Sequence, residues 1–132
     1  MLQKGTHLLI DCREVDRNVC LDDQLFLNAM ADAATAAGAT VISQVRYRFG
    51  DESPPGFTAV VLLDESHCSA HSYADLGLVA LDIFTCGRAN PRDILAILCE
   101  KIPLGKVSVQ EVARFLLPDA LPVSLAAAVA KE

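Results

Sequence analysis

The sequence lacks an apolar run long enough to cross a lipid bilayer. Asp64, Glu65 and His67 interrupt the apolar middle of the chain, so no stretch reaches the ~18 to 20 apolar residues that a membrane helix needs. A secretory pattern is also missing, because Asp11 and Arg13 follow the N-terminus closely. These two absences predict a cytoplasmic protein with no membrane partner.

Basic residues are fewer than acidic ones, and the cysteines show no regular spacing. The formal net charge of −6 argues against a nucleic-acid partner, because phosphates require a basic surface. It is compatible with a small cationic substrate. The five cysteines are odd in number and show no CxxC spacing. This pattern fits a reducing compartment better than a disulfide framework.

The chain has no internal repeat and no low-complexity linker. Its 132 residues, 52% of them apolar, are enough for one core of ordinary size. We expect one domain over residues 1–115 and a C-terminal tail over residues 116–132. The tail is apolar but short, and proline interrupts it twice. A docked helix, a dimer contact and a frayed end all remain open for it.

Hydrophobic periodicity predicts six strands and two helices. The first helix opens at Asp22 and Asp23 and stops at Gly38, and the second opens at Asn90-Pro91 and runs to about Ile102. Hairpin-length links between strands imply an α+β two-layer sandwich, with a mainly antiparallel sheet and both helices on one face. The strands are predicted over residues 7–12, 40–49, 57–63, 68–73, 78–84 and 106–112.

A serine, a histidine and a cysteine occur close together in the sequence. Glu65-Ser66-His67 is followed by His71, and a Leu-Asp-Ile-Phe-Thr-Cys-Gly segment then places Cys86 before Gly87. With these motifs the chain resembles the bacterial and archaeal S-adenosylmethionine decarboxylase proenzymes. The resemblance extends from about residue 5 to about residue 109 and so covers most of the chain.

The resemblance implies an activity and a role for each of these residues. The backbone would be cut between Glu65 and Ser66, and Ser66 would become a pyruvoyl group that serves as the covalent cofactor. His71 would assist this processing, and Cys86 would donate a proton during turnover. The implied activity is decarboxylation of S-adenosylmethionine, which makes the aminopropyl donor for spermidine synthesis.

Elementary chemistry agrees with these roles. Attack of a serine hydroxyl on the preceding carbonyl needs a strained backbone and polar groups around the oxyanion, which a tight loop between strands can supply. His71 is the nearest base in the sequence, and an imidazole ordinarily titrates near a pKa of ~6.5. Once the substrate amine forms a Schiff base with the pyruvoyl group, a thiol such as that of Cys86 can reprotonate the substrate carbon. The remaining cysteines are predicted to be small buried hydrophobic residues: Cys12, Cys20, Cys68 and Cys99.

The resemblance also suggests substrate contacts. Phe49 follows Arg48 as in the family, where the aromatic ring stacks on adenine. After His71 the family usually has His-Thr-Trp-Pro-Glu-Tyr-Gly, whereas this chain keeps an aromatic ring at Tyr73 and a carboxylate at Asp75 for the ribose hydroxyls. Thr58 stands where the family has a serine that supports the processing loop, and threonine keeps that hydroxyl.

Metal binding is not expected. His67 and His71 are four residues apart in a segment whose surrounding pattern is that of a strand, where they would lie ~13 Å from one another, too far to share one ion. His7 is interpreted as a core or supporting histidine, since it stands in a Gly-x-His segment like that of the family.

The resemblance also implies a partner subunit, and two other functions remain open. Short members of the family are usually homodimers of cleaved protomers with the active site near or across the interface, and a sheet with one covered face would need such a partner. The alternatives are a pyruvoyl-dependent decarboxylase of a basic amino acid, arginine or ornithine, and an uncleaved regulatory homologue.

Overall fold

The protein is a six-stranded antiparallel sheet with two long helices packed on one face. The computed structural model describes residues 3–116, with side chains to residue 115. The strands are β1 (Gln3–Arg13), β2 (Val41–Arg48), β3 (Gly56–Leu63), β4 (Ser66–Tyr73), β5 (Leu78–Thr85) and β6 (Lys106–Leu116). The helices are α1 (Arg17–Cys20), α2 (Asp23–Ala36) and α3 (Pro91–Lys101).

The order of strands across the sheet is β2-β3-β4-β5-β1-β6, and every neighbouring pair is antiparallel. This confirms the predicted α+β sandwich. Strands β1 and β6 extend further than predicted, because they pair along almost their whole length, from Gln3 with Leu116 to Arg13 with Lys106, whereas the edge strand β2 is shorter than the predicted residues 40–49. The predicted tail, residues 116–132, lies outside the described residues except for Leu116, which ends β6.

Both long helices begin where the sequence places their N-caps. The Asp22 side chain accepts a hydrogen bond from the Leu25 amide, and the Asn90 side chain accepts one from the Arg92 amide. Helix α2 packs over β2 and β3, and α3 packs over β5 and β1. The short helix α1 was not predicted, since four residues are too few to show helical periodicity.

The sheet has one covered face and one open face. Alternate residues of the central strands pack under the helices and are fully buried, among them Leu8, Phe57, Ala70 and Leu81. The intervening residues point to the opposite, open face, where no helix of the described chain lies. The candidate site therefore has to be located by face as well as by position along each strand.

One of the cysteine predictions is wrong. Cys12, Cys20 and Cys68 are buried as expected, but Cys99 is exposed on α3. The buried side of α3 is formed by Ile94, Leu95 and Leu98, and Cys99 comes one position after Leu98, where the helix turns toward solvent. Among the described residues, no helix is long and apolar enough to cross a membrane.

Candidate active site

The Glu65–Ser66 bond lies in the tight turn that joins β3 to β4. Leu63 pairs with Ser66 across the hairpin, so Asp64 and Glu65 alone form the turn. Glu65 has a φ of 62°, in the left-handed region that costs an ordinary side chain about 1 to 2 kcal/mol. The residue before the predicted nucleophile is therefore the strained one. Ser66 itself is the first residue of β4, two positions earlier than the predicted start of that strand.

Cys86 lies beside Ser66. The Cys86 amide donates a hydrogen bond of 3.1 Å to Ser66 Oγ, because β5 ends one residue earlier, next to the start of β4. The Cys86 thiol is half-buried above Gly5, and a Cβ added to Gly5 would lie 3.0 Å from Cys86 Sγ. A glycine at this position of β1 thus leaves room for the thiol. The structure brings these two predicted residues together.

A cleft opens next to the turn. It has a volume of about 240 Å³ and runs between the end of α2 and the loop before α3. Gly38, Glu65, Ser66 and Arg88 are among its lining residues. The carboxylate of Glu65 lies at the surface, 3.4 Å from Lys4 Nζ.

Thr58 and His71 form a second predicted pair. They face one another across β3 and β4, and Thr58 Oγ1 is 2.8 Å from His71 Nδ1. This hydrogen bond fixes the orientation of the imidazole and leaves Nε2 as its other functional atom. Both side chains are half-buried on the open face of the sheet.

Within one chain the structure does not bring His71 to Ser66. The two residues are five positions apart on the same strand, which corresponds to a separation of about 16 Å. An odd separation also places their side chains on opposite faces of the sheet. The expectation that His71 is the base within reach of Ser66 is therefore not met inside a single protomer.

The predicted substrate contacts lie with His71, far from Ser66. Phe49 follows β2 and its amide donates to the Gly56 carbonyl, and Gly56 pairs with Tyr73 at the end of the hairpin opposite to Ser66. Asp75 is in the next turn, where its carboxylate is 2.6 Å from Arg17 Nη1. The Arg17 contact could not be predicted, since α1 shows no pattern in the sequence.

The sequence interpretation missed a cluster on the open face near Cys86. His7 Nε2 lies 2.9 Å from Asp82 Oδ1, and the rings of His7, His67 and Phe84 pack together with centroid distances of 5.7 to 6.3 Å. Arg114 covers the other part of the Phe84 ring, 5.4 Å from its centroid. Burial and the neighbouring His7 lower the pKa of His67. The period-two alternation of β1 and β5 was the available signal, because it places these residues on one face.

His67 and His71 both lie on strand β4. Over residues 3–115 no group of three or more His, Cys, Asp or Glu side chains is arranged to hold a metal ion.

The fold and these side chains define a class of protein. A small α+β domain holds a serine at a strained turn, a thiol next to it and an oriented imidazole on the same sheet. A nucleophile, a proton donor and a base of this kind are typical of an enzyme. Comparison with known proteins identifies the family of this enzyme. The family model described as S-adenosylmethionine decarboxylase matches residues 6–115.

Individual relatives agree with the family model. The S-adenosylmethionine decarboxylase proenzyme of Pelotomaculum thermopropionicum is 33% identical, covering 90% of this chain and 93% of the relative. That of Methanococcus maripaludis is 35% identical, covering 89% and 94%. The crystal structure of the adenosylmethionine decarboxylase from Aquifex aeolicus superposes with a TM-score of 0.77 and 25% identity, over 92% of this chain and 99% of that one. The chain belongs to the S-adenosylmethionine decarboxylase family.

The conformation of Glu65 gives a prediction about the uncut chain. In a Ser66→Ala background, Glu65→Asn should raise the free energy of unfolding by about 1 kcal/mol, because asparagine tolerates the left-handed region better than glutamate. Glu65→Val should lower it by a similar amount, because a β-branched side chain is disfavoured there. Urea unfolding followed by circular dichroism measures both changes.

Asp64→Asn is the matched control, since Asp64 is in the same turn without a positive φ. An equal gain in stability from Asp64→Asn and Glu65→Asn would contradict the strain at Glu65.

Proposed function

We propose that the protein is a self-processing, pyruvoyl-dependent S-adenosylmethionine decarboxylase that makes the aminopropyl donor for spermidine synthesis. Family membership supports the reaction, and one geometric observation supports the processing. Ser66 follows a residue in a strained conformation, and its hydroxyl oxygen is fixed by the amide of Cys86.

The processing chemistry follows from this arrangement. Attack by Ser66 Oγ forms a bond to the Glu65 carbonyl carbon, and the bond from that carbon to the Ser66 nitrogen breaks, which leaves an ester and a free amine. Relief of the left-handed conformation at Glu65 offsets part of the cost of exchanging an amide for an ester. A base then removes the Ser66 Cα proton, and the bond between Ser66 Cβ and the ester oxygen breaks. Glu65 leaves with a new main-chain carboxylate, and residue 66 becomes a dehydroalanine that tautomerises to an imine. Water replaces the resulting imine nitrogen, ammonia departs, and a pyruvoyl group remains at residue 66.

His71 is the proposed base, and its distance from Ser66 within one chain supports a base that comes from a second chain. His71 is oriented by Thr58 on the open face, but about 16 Å from Ser66 of its own chain. A two-fold dimer through the open faces, with the sheets in opposite directions, would bring each Thr58–His71 pair toward the end of the partner's sheet that carries Ser66 and Cys86. The Ser66 side chain points to the covered face, so the proposed target of the imidazole is the Cα proton of the Ser66 backbone and not the hydroxyl. The same operation brings Phe49, Tyr73 and Asp75 toward the partner's cleavage site. We therefore propose a homodimer of cleaved protomers whose active sites are shared.

Turnover then uses residues of both chains. The pyruvoyl carbonyl supplies an electrophile for the substrate amine and an electron sink for the electrons released with carbon dioxide. Phe49 stacks on the adenine, Asp75 accepts hydrogen bonds from the ribose, and Tyr73 contributes a further aromatic surface. The Cys86 thiol, half-buried next to residue 66, returns a proton to the substrate carbon from Sγ. A cytoplasmic location is part of the proposal, supported by five cysteines that are all free.

Self-cleavage is the first expected outcome. Purified protein should consist of two fragments, residues 1–65 and 66–132, the second with a pyruvoyl group in place of its N-terminal serine. Ser66→Ala should remain one chain because no hydroxyl is present to attack. Intact mass spectrometry measures both. A wild-type chain that stays uncut after long incubation would favour the uncleaved regulatory homologue.

Cleavage between chains is the second expected outcome. His71→Ala and Ser66→Ala should each remain uncut when expressed alone. In the mixed dimer, His71 of the Ser66→Ala chain should act on Ser66 of the His71→Ala chain, so that only the latter is cut. Because random pairing makes about half of all dimers mixed, about half of the His71→Ala chains should be cleaved.

Two differently tagged chains and mass spectrometry identify which one is cleaved. Co-expression of His71→Ala with the double variant Ser66→Ala/His71→Ala is the matched control, because this pair contains no imidazole at position 71. Cleavage of the His71→Ala chain in that control, or its absence in the test pair, would exclude His71 of the partner as the base.

Substrate choice is the third expected outcome. The processed protein should release carbon dioxide from S-adenosylmethionine and not from arginine or ornithine. Phe49→Ala should reduce kcat/KM for S-adenosylmethionine about tenfold or more, since a lost base stack costs roughly 1 to 3 kcal/mol, and self-cleavage should persist. A preference for a basic amino acid would keep the pyruvoyl chemistry and overturn the substrate assignment.

A further inference from the structure

Asp23 is a buried carboxylate that belongs to no part of the catalytic arrangement. It is the first residue of α2, and its side chain is 4% exposed. Arg48 Nε and Nη2 both lie 2.9 Å from Asp23 Oδ1, and Arg46 Nε lies 3.4 Å from Oδ2. Arg46 also donates to the side chain of Gln24, the next residue of the helix. Two arginines of β2 thus converge on the start of α2.

Asp23 is charged in this position. Burial alone would raise the pKa of the Asp23 carboxyl, but the hydrogen bond from Arg48 and the positive charges of Arg48 and Arg46 outweigh burial and lower the pKa. A buried carboxylate with charged donors is a strong local restraint, because ionic hydrogen bonds are stronger than neutral ones.

Strand β2 has few other restraints. It is an edge strand, paired only with β3, and seven of its eight side chains are exposed. Strand alternation directs Arg46 and Arg48 toward α2 and directs Tyr47 and Phe49 to the open face. The rings of Tyr47 and Phe49 are 6.4 Å apart, and Tyr47 pairs with Thr58, the partner of His71. Arg46 and Arg48 on the helix side of the strand therefore alternate with Tyr47 and Phe49 on the open face.

Phe49 needs this restraint because it lies at the end of the strand. Its amide donates to the Gly56 carbonyl at 3.1 Å, and its ring lies against Gly56, where an added Cβ would be 3.1 Å from the ring edge. The next residues, 50–55, form a loop that is exposed up to residue 54. The pairing of Arg48 with Asp23 is the last side-chain contact with the helix layer before the chain reaches Phe49.

We propose that Asp23 is a positioning residue that holds the Tyr47–Phe49 aromatic pair on the open face, ready for the nucleoside of the substrate. Asp23 acts through Arg46 and Arg48 and does not itself contact substrate. The role in substrate binding rests on the proposed function, whereas the positioning of the rings can be measured without substrate.

Fluorine NMR tests the positioning directly. The chain has two tyrosines and no tryptophan, so the protein labelled with 3-fluorotyrosine gives one signal for Tyr47 and one for Tyr73, assigned with Tyr73→Phe. Asp23→Asn should shift or broaden the Tyr47 signal and leave the Tyr73 signal unchanged. If Asp23→Asn does not fold, Arg48→Gln replaces it, because this variant changes an exposed side chain and keeps the buried carboxylate. Arg48→Gln should shift or broaden the Tyr47 signal in the same way. An unchanged Tyr47 signal in the folded variants would overturn the proposal.

Kinetics separates positioning from general stability. Asp23→Asn should raise KM for S-adenosylmethionine about threefold to tenfold and leave kcat and self-cleavage within about twofold, because the chemistry occurs at Ser66 and Cys86. The double variant Asp23→Asn/Arg48→Gln should raise KM by no more than the larger of the two single changes, because the two residues act as a unit.

Glu111→Gln is the control, since Glu111 pairs with Arg92 at 2.7 Å and links α3 to the opposite edge strand through a more exposed ion pair. It should leave KM and the Tyr47 signal unchanged. An equal rise in KM with Glu111→Gln would overturn the positioning role. If Phe49→Ala leaves KM unchanged, the stacking role of Phe49 fails, and the fluorine signals still decide the positioning by Asp23.

Discussion

The two-residue turn at Asp64 and Glu65 is the constraint on which the rest of the site depends. The left-handed Glu65 lets β3 return immediately as β4, and this fixes the register of the central hairpin. The register then places Thr58 opposite His71 and starts β4 at Ser66. A turn one residue longer would move every side chain of β4 to the other face. The strain at Glu65 is thus linked both to the geometry of the sheet and to the bond that the proposed reaction breaks.

The distribution of the candidate residues supports the proposal that the active site needs two chains. Ser66 and Cys86 lie at one end of the sheet, and Phe49, Tyr73 and Asp75 lie at the other. Strands are stiff, so no side-chain rotation closes a gap of about 16 Å. In the proposed dimer, an antiparallel partner on the open face would bring the opposite ends of the two sheets together. The open face carries exposed apolar side chains such as Val45 and Tyr47 together with the half-buried His7–Asp82 pair, which is compatible with coverage by a second protein surface.

Much of the fold could be predicted from the sequence because its signals are local. The caps at Asp22 and Asn90 and the alternation in β3 and β5 depend on neighbouring residues, and the structure confirms them. Strand ends were less predictable, since the start of β4 at Ser66 depends on pairing with Leu63 and the length of β6 depends on pairing with β1. The short helix α1 and the ion pair of Arg17 with Asp75 also depend on tertiary contacts.

Proximity within the candidate site was harder to infer for a physical reason. Five residues of separation suggest closeness in the sequence, but on a strand this separation means both distance and opposite faces, so His71 is remote from Ser66. Cys86, twenty positions away, is the neighbour of Ser66 because β4 and β5 are paired. A motif therefore suggests which residues belong to a candidate site, and the sheet register determines which of them can meet within one chain. Asp23 illustrates the complementary case, since no motif includes it and only the structure connects it, through Arg48, to Phe49.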